Sequence, residues 1–124
     1  MKIFDDERKF MIAGDQTVDE LNLQQKRMYE SFIEEEFIEF QNAVKDEPLA
    51  NQVKEANDIL VVTCNWLLSV GVNPEKCWNA VVANNMLKVA NPPIKDPVTG
   101  KIQKSPESIQ GKKLMMAIIE KECE

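Results

Sequence analysis

Histidine does not occur in this chain of 124 residues. Its absence removes the usual nitrogen ligand of zinc hydrolases and the Glu-x-x-His pairs that build di-iron helical bundles. Also missing is an apolar run of the roughly 20 residues that a membrane span requires. The longest candidate, Ile59 to Val70, is interrupted by Thr63, Asn65 and Ser69. The opening Met1-Lys2-Ile3-Phe4-Asp5-Asp6-Glu7 lacks the apolar centre of a signal peptide. There is no P-loop, and no other Gly-rich phosphate cradle replaces it. Three cysteines, Cys64, Cys77 and Cys123, are odd in number and show no metal-like spacing, so reduced thiols in a cytoplasmic protein are expected. No internal repeat or low-complexity tract breaks the sequence. The expectation is one soluble domain over residues 1–124, large enough for a real core but small for an enclosed active site.

What is present is charge, unevenly placed. The net charge of −6 hides an acidic centre, with nine Asp or Glu against Lys45 and Lys54 over residues 30–58. Residues 86–104 carry the opposite bias, Lys88, Lys95, Lys101 and Lys104 against Asp96. An acidic centre followed by a basic segment suits a metal beside a polyanionic ligand. It does not suit a nucleic-acid binder, which carries a basic face and a high pI. On charge alone, two solvated surfaces of opposite sign would serve equally well.

Hydrophobic spacing predicts helices. A short one runs over 5–13 and stops at Gly14. Thr17 with Glu20 matches a capping box, and from there Leu21, Met28, Phe32, Phe37, Phe40 and Val44 mark a long helix broken by Asp46-Glu47-Pro48. A second long helix follows over 49–70, with Gly71 as its terminating glycine. Asn73-Pro74 opens another, asparagine as N-cap and proline in the first turn, ended by Asn91-Pro92-Pro93. Residues 91–106 read as an ordered loop or small hairpin around Asp96-Pro97-Val98-Thr99-Gly100, and 107–122 as a C-terminal amphipathic helix. The predicted fold class is an all-α helical bundle.

Two acidic clusters carry the chemistry. Glu36 and Glu39 lie three residues apart on the first long helix, and Glu55 and Asp58 three apart on the second. Residues i and i+3 share a helix face, where like charges cost a few tenths of a kcal/mol. A glutamate-rich helix is ordinarily a solvated face, and Lys54 or Lys45 could pair with the second cluster. Two such pairs on consecutive helices favour a metal site. Oxygen-only ligands favour Mg²⁺ with Mn²⁺ as substitute, and magnesium keeps open positions for water and substrate phosphate. Lys88, Lys101 and Lys104 could then neutralise a triphosphate.

Glu35-Glu36-x-x-Glu39 followed by Glu55-x-x-Asp58 resembles the signature of the MazG-like all-α nucleoside triphosphate pyrophosphohydrolases. Asn85-Met86-Leu87-Lys88 and Gly100-Lys101-Ile102-Gln103-Lys104 are similar to the tail of its phage and bacterial branch, as is Phe10 to Gly14 through Gln24-Gln25. That branch has an aromatic residue after the last lysine; here Ser108 stands nearby, and the last helix has no counterpart. The resemblance implies Mg²⁺ held by Glu36, Glu39, Glu55 and Asp58, and attack on the α-phosphorus by a metal-bound water that Glu35 orients or deprotonates. It also implies Lys88, Lys101 and Lys104 on the phosphates, with Asn85, Asn22 and Gln25 as further substrate contacts. A homo-oligomer, dimer or tetramer, would complete the site, with Trp66, Trp78, Met115 and Met116 as interface or core. The expected reaction releases pyrophosphate and a monophosphate from a (d)NTP, with a purine such as (d)GTP in a phage nucleotide pool as one substrate and dUTP as the alternative. A non-enzymatic acidic helical module is the competing class.

Overall fold

Asparagine, proline and serine set where the helices begin. The computed structural model describes residues 1–124 and contains α1 (Lys2–Ala13), α2 (Leu23–Asp46), α3 (Leu49–Leu68), α4 (Pro74–Met86) and α5 (Pro106–Glu122). The fold is all-α, as the hydrophobic spacing predicts. The chain sorts into two compact units, Met1–Val72 and Asn73–Glu124. No helix is long and apolar enough to cross a membrane.

In the first unit, α2 packs on α3 and α1 packs on α3. Phe4 and Met11 from α1, Tyr29 from α2, and Val62, Cys64 and Leu68 from α3 form the buried core, with Phe32, Ile33 and Trp66 packed against it. A polar layer runs beside these apolar contacts. Asn65 is buried, and its Nδ2 donates to Glu7 Oε1 at 2.8 Å and to Val61 O at 3.2 Å. Burial raises the Glu7 carboxyl above its ordinary range, with the Asn65 bond opposing it. The Tyr29 hydroxyl donates to Gln16 Oε1.

The start of α2 differs from the capping-box expectation at Thr17 and Glu20. Asp19 N donates to Leu68 O at 2.9 Å and Asn22 N to Ser69 O at 3.0 Å, so the end of α3 uses the backbone that a longer helix would need. Asp19 sits at φ 60°. The cap is Asn22, whose Oδ1 accepts from Gln25 N at 3.0 Å. Gly71 holds φ +82°, and a Cβ there would meet Leu21 N at 3.0 Å, so only glycine fits this turn comfortably.

The second unit pairs α4 with α5. Asn73 Oδ1 accepts from Lys76 N at 3.1 Å, with Pro74 in the first turn, as its sequence predicts. The segment before α5 is a small ribbon with a bridge between Lys95 and Ile102. Its turn is closed by Asp96 Oδ1, which accepts from Val98 N and Thr99 N, each at 2.9 Å. Those N–H groups, Thr99 first, hold the Asp96 carboxyl below its ordinary range. Ser105 and Ser108 cap α5 reciprocally, and Ser105 Oγ also donates to Leu87 O at 2.9 Å.

Candidate functional site

Pro48 separates α2 from α3 with almost no connecting chain, so the two helices run back along each other. Glu39 lies nine residues before Pro48 and Glu55 seven after it, which brings them to similar heights in the hairpin. One carboxylate oxygen from each of Glu36, Glu39 and Glu55 lies within 4.8 Å of the other two. Glu36 and Glu55 are half-buried and Glu39 is exposed, so the cluster opens to solvent on the Glu39 side.

Two oxygens in this cluster have no partner. Glu36 Oε2 and Glu55 Oε2 are both shielded from solvent and accept no hydrogen bond. Leaving an acceptor in that state costs about 1–3 kcal/mol, and more when it is charged. Burial raises the Glu36 carboxyl above its ordinary range, followed by the facing Glu39 carboxylate and then by Asp58 and Glu55. Protonation or a cation would relieve this arrangement, and the donor set, oxygen only, fits Mg²⁺ or Mn²⁺.

Asp58 is near enough to act on Glu36 but is not one of the three residues whose oxygens gather within 4.8 Å. Lys54 Nζ lies 2.7 Å from Asp58 Oδ2 and 3.5 Å from Glu55 Oε1, the ion pair that the sequence offered as an alternative to a metal. Glu35, next to Glu36, is exposed. Asn22 and Gln25 are used structurally. Asn22 caps α2 and donates from Nδ2 to Thr17 Oγ1 at 3.1 Å. Gln25 is buried, accepting from Thr17 N at 3.0 Å and donating to Thr17 O at 2.7 Å and Ser69 Oγ at 2.8 Å. Both also line a shallow depression of about 340 Å³ with Gln16, Gln24 and Met28. It lies about 16 Å of helical rise from Glu36 along α2.

In the second unit, Asn85, Lys88 and Lys104 line one cavity of about 550 Å³. Lys101 does not line it; its backbone closes the Asp96 turn by accepting from Asp96 N at 2.9 Å. Lys112 of α5 does line it, and nothing in its surroundings in the sequence singled it out. Ser108, near where the resemblance implies an aromatic residue, is buried in the α5 cap.

The family model described as phosphoribosyl-ATP pyrophosphohydrolase matches residues 13–85. The chain belongs to this family. It is therefore a pyrophosphohydrolase, a hydrolase acting on phosphoric anhydrides, within the MazG-like all-α superfamily. The match takes in α2, α3 and most of α4, and so every carboxylate of the acidic site together with Asn85. It ends before Lys88, Lys101, Lys104 and α5. Comparisons with curated proteins and with solved structures return no match.

Proposed function

We propose that the protein hydrolyses (deoxy)nucleoside triphosphates to the monophosphate and pyrophosphate, with Mg²⁺ at the acidic site of α2 and α3 and Mn²⁺ able to replace it. The observation that carries this reading is the pair of shielded, partnerless oxygens on Glu36 and Glu55, in two residues that gather with Glu39. Those three residues hold the cation. Asp58, one turn beyond Glu55, completes the set by exchanging Lys54 for it. When bound, Mg²⁺ supplies polarisation of the phosphate oxygens and lowers the pKa of a water ligand. Glu35, beside Glu36, orients the attacking water and accepts its proton. In the second unit, Asn85, Lys88 and Lys104 offset phosphate charge, with Lys101 near the turn as a weaker contributor. Asn22 and Gln25 shape a surface that meets the base, through the depression they line with Gln16 and Met28.

A purine triphosphate such as (d)GTP, in the nucleotide pool of a phage-infected cell, is the substrate we favour. The dUTP reading shares the same fold and acidic site, and the name of the matched family makes phosphoribosyl-ATP a further candidate. Assembly into a homo-oligomer is part of the reading. Phe37 and Val44 on α2 are each 51 % exposed, and Leu49, Val53 and Leu60 on α3 are 71 %, 53 % and 55 % exposed, leaving apolar stripes at helical spacing that a second copy would cover. Light scattering after gel filtration reads that directly, and a monomer at micromolar concentration would remove it.

The deciding experiment measures pyrophosphate and monophosphate release from all common NTPs and dNTPs, dUTP and phosphoribosyl-ATP, with Mg²⁺ or Mn²⁺. A Glu39→Gln protein, shown to be folded, runs beside it. Release that disappears in this variant supports the reading and ranks the bases. Silence across the panel would overturn it.

A further inference from the structure

Gly111 lets α5 lie unusually close to α4. A Cβ at this position would come within 2.5 Å of Leu87 Cδ1 and 2.8 Å of Asn84 Oδ1, so any larger residue would have to displace those two side chains. The next residue is Lys112. The close approach brings it to the wall of the 550 Å³ cavity that Lys88 lines from beyond α4 and Lys104 from the end of the ribbon. Val81, Ile109 and Met115 form its apolar part, and no carboxylate lines it. Three lysines line one cavity without an acid among them, and an anion with several oxygens would offset their charge. A single phosphate is satisfied by one or two such groups. Three favour a chain of phosphates.

We propose that Lys112 is a third phosphate-binding residue, supplied by α5, and that this cavity binds a polyphosphate group. The inference rests on the reading of Lys88 and Lys104 as phosphate-binding residues. It adds to that reading a residue and a helix lying outside the matched family segment. The polyphosphate is either the triphosphate of a nucleotide or free inorganic polyphosphate; both present the same chemistry.

Isothermal titration of inorganic tripolyphosphate into the full chain, without divalent metal and at low salt, tests the site apart from any turnover. Lys112→Gln is compared with Lys113→Gln, which makes the same change of charge at the neighbouring position, outside the cavity lining. Circular dichroism checks that both are folded. The expected result is binding weakened about tenfold by Lys112→Gln, largely restored by Lys112→Arg and almost unaffected by Lys113→Gln. Equal weakening by Lys112→Gln and Lys113→Gln, or no binding to the wild-type protein, would overturn the proposal. KM for a hydrolysed nucleotide then identifies the source. A rise with kcat preserved in Lys112→Gln assigns the cavity to the substrate's triphosphate, and an unchanged KM assigns it to free polyphosphate. If no nucleotide is hydrolysed, the enzyme reading fails, while the titration still judges the cavity.

Discussion

The two units of this protein are opposites in charge and in how they are built. Met1–Val72 holds fifteen acidic residues against seven basic ones, and Asn73–Glu124 holds six against eight. The first closes a core around Met11 and Leu68, both fully buried. In the second the buried residues are small, Pro74, Ala80, Ser105 and Ser108, and the cavity of about 550 Å³ beside α4 and α5 is lined by three lysines. The contrast teaches where each kind of misfit can be carried. A helix hairpin with a solid core tolerates three carboxylates pressed together, whereas a two-helix unit gathers lysines around an open space. The first collects carboxylates and the second lysines, so each presents groups of one sign.

The largest expected effect lies on the acidic side. Glu39→Gln should lower kcat by about a thousandfold, since a lost ligand forfeits several kcal/mol of transition-state stabilisation. Glu36→Gln should do the same while raising the melting temperature of the metal-free protein, because it removes a charge held without a partner. A variant that loses stability together with activity would mean the cluster is structural.

Next in size is a test of whether the two units divide the work. Lys88→Gln should raise KM for the nucleotide about tenfold. Millimolar Mg²⁺ should still stabilise that variant as it does the wild type, by about 1.4 kcal/mol at ten times the dissociation constant. If the Mg²⁺ shift vanished in Lys88→Gln, the assignment of cation to one unit and anion to the other would break.

Lys54→Gln sharpens the same comparison within the acidic unit. Lys54 is an exposed competitor for Asp58, 2.7 Å away, so its removal should lower the Mg²⁺ concentration for half-maximal activity by about two- to fivefold. A higher requirement would show that Lys54 supports the site. The smallest effect concerns Glu7. Its carboxyl is raised by burial, so the stability it contributes is present below the unfolded value and is lost as pH rises through the folded one. Glu7→Gln should therefore gain stability over the wild type in thermal melts as pH rises from 4 to 8. A difference that is flat or reversed across that range would mean burial is not the dominant influence.

How much of this was legible in the sequence depends on whether local spacing or tertiary contact decides. Asn73-Pro74 begins a helix because its cap is made within four residues, and the i, i+3 acidic pairs follow from helical geometry alone. Thr17 and Glu20 carried an equally good local signal, but the end of α3 takes the backbone around them and Asn22 becomes the cap. The same contacts turn Gln25 into a buried tie to Thr17 and Ser69, a role that no spacing declares. Asp58 and Lys54 are four apart on one helix, so their pairing was readable; that Asp58 would stay outside the group formed by Glu36, Glu39 and Glu55 was not. Lys112 was invisible because its place depends on Gly111 pressing against Asn84 and Leu87.

The ribbon ahead of α5 is pinned at its base by Gln103 N donating to Ile94 O at 2.8 Å, and Ser105 ties the next step of the chain to Leu87. Its tip is held only by bonds within the turn, and the Val98 side chain is 91 % exposed. Because both ends are already fixed, lengthening the tip adds only a slowly growing closure entropy, about 0.6 kcal/mol for each doubling. A peptide tag or a fluorescent reporter grafted at 98–99 would give up the Asp96 turn but leave the two ties at the base, and with them the frame of the lysine-lined cavity.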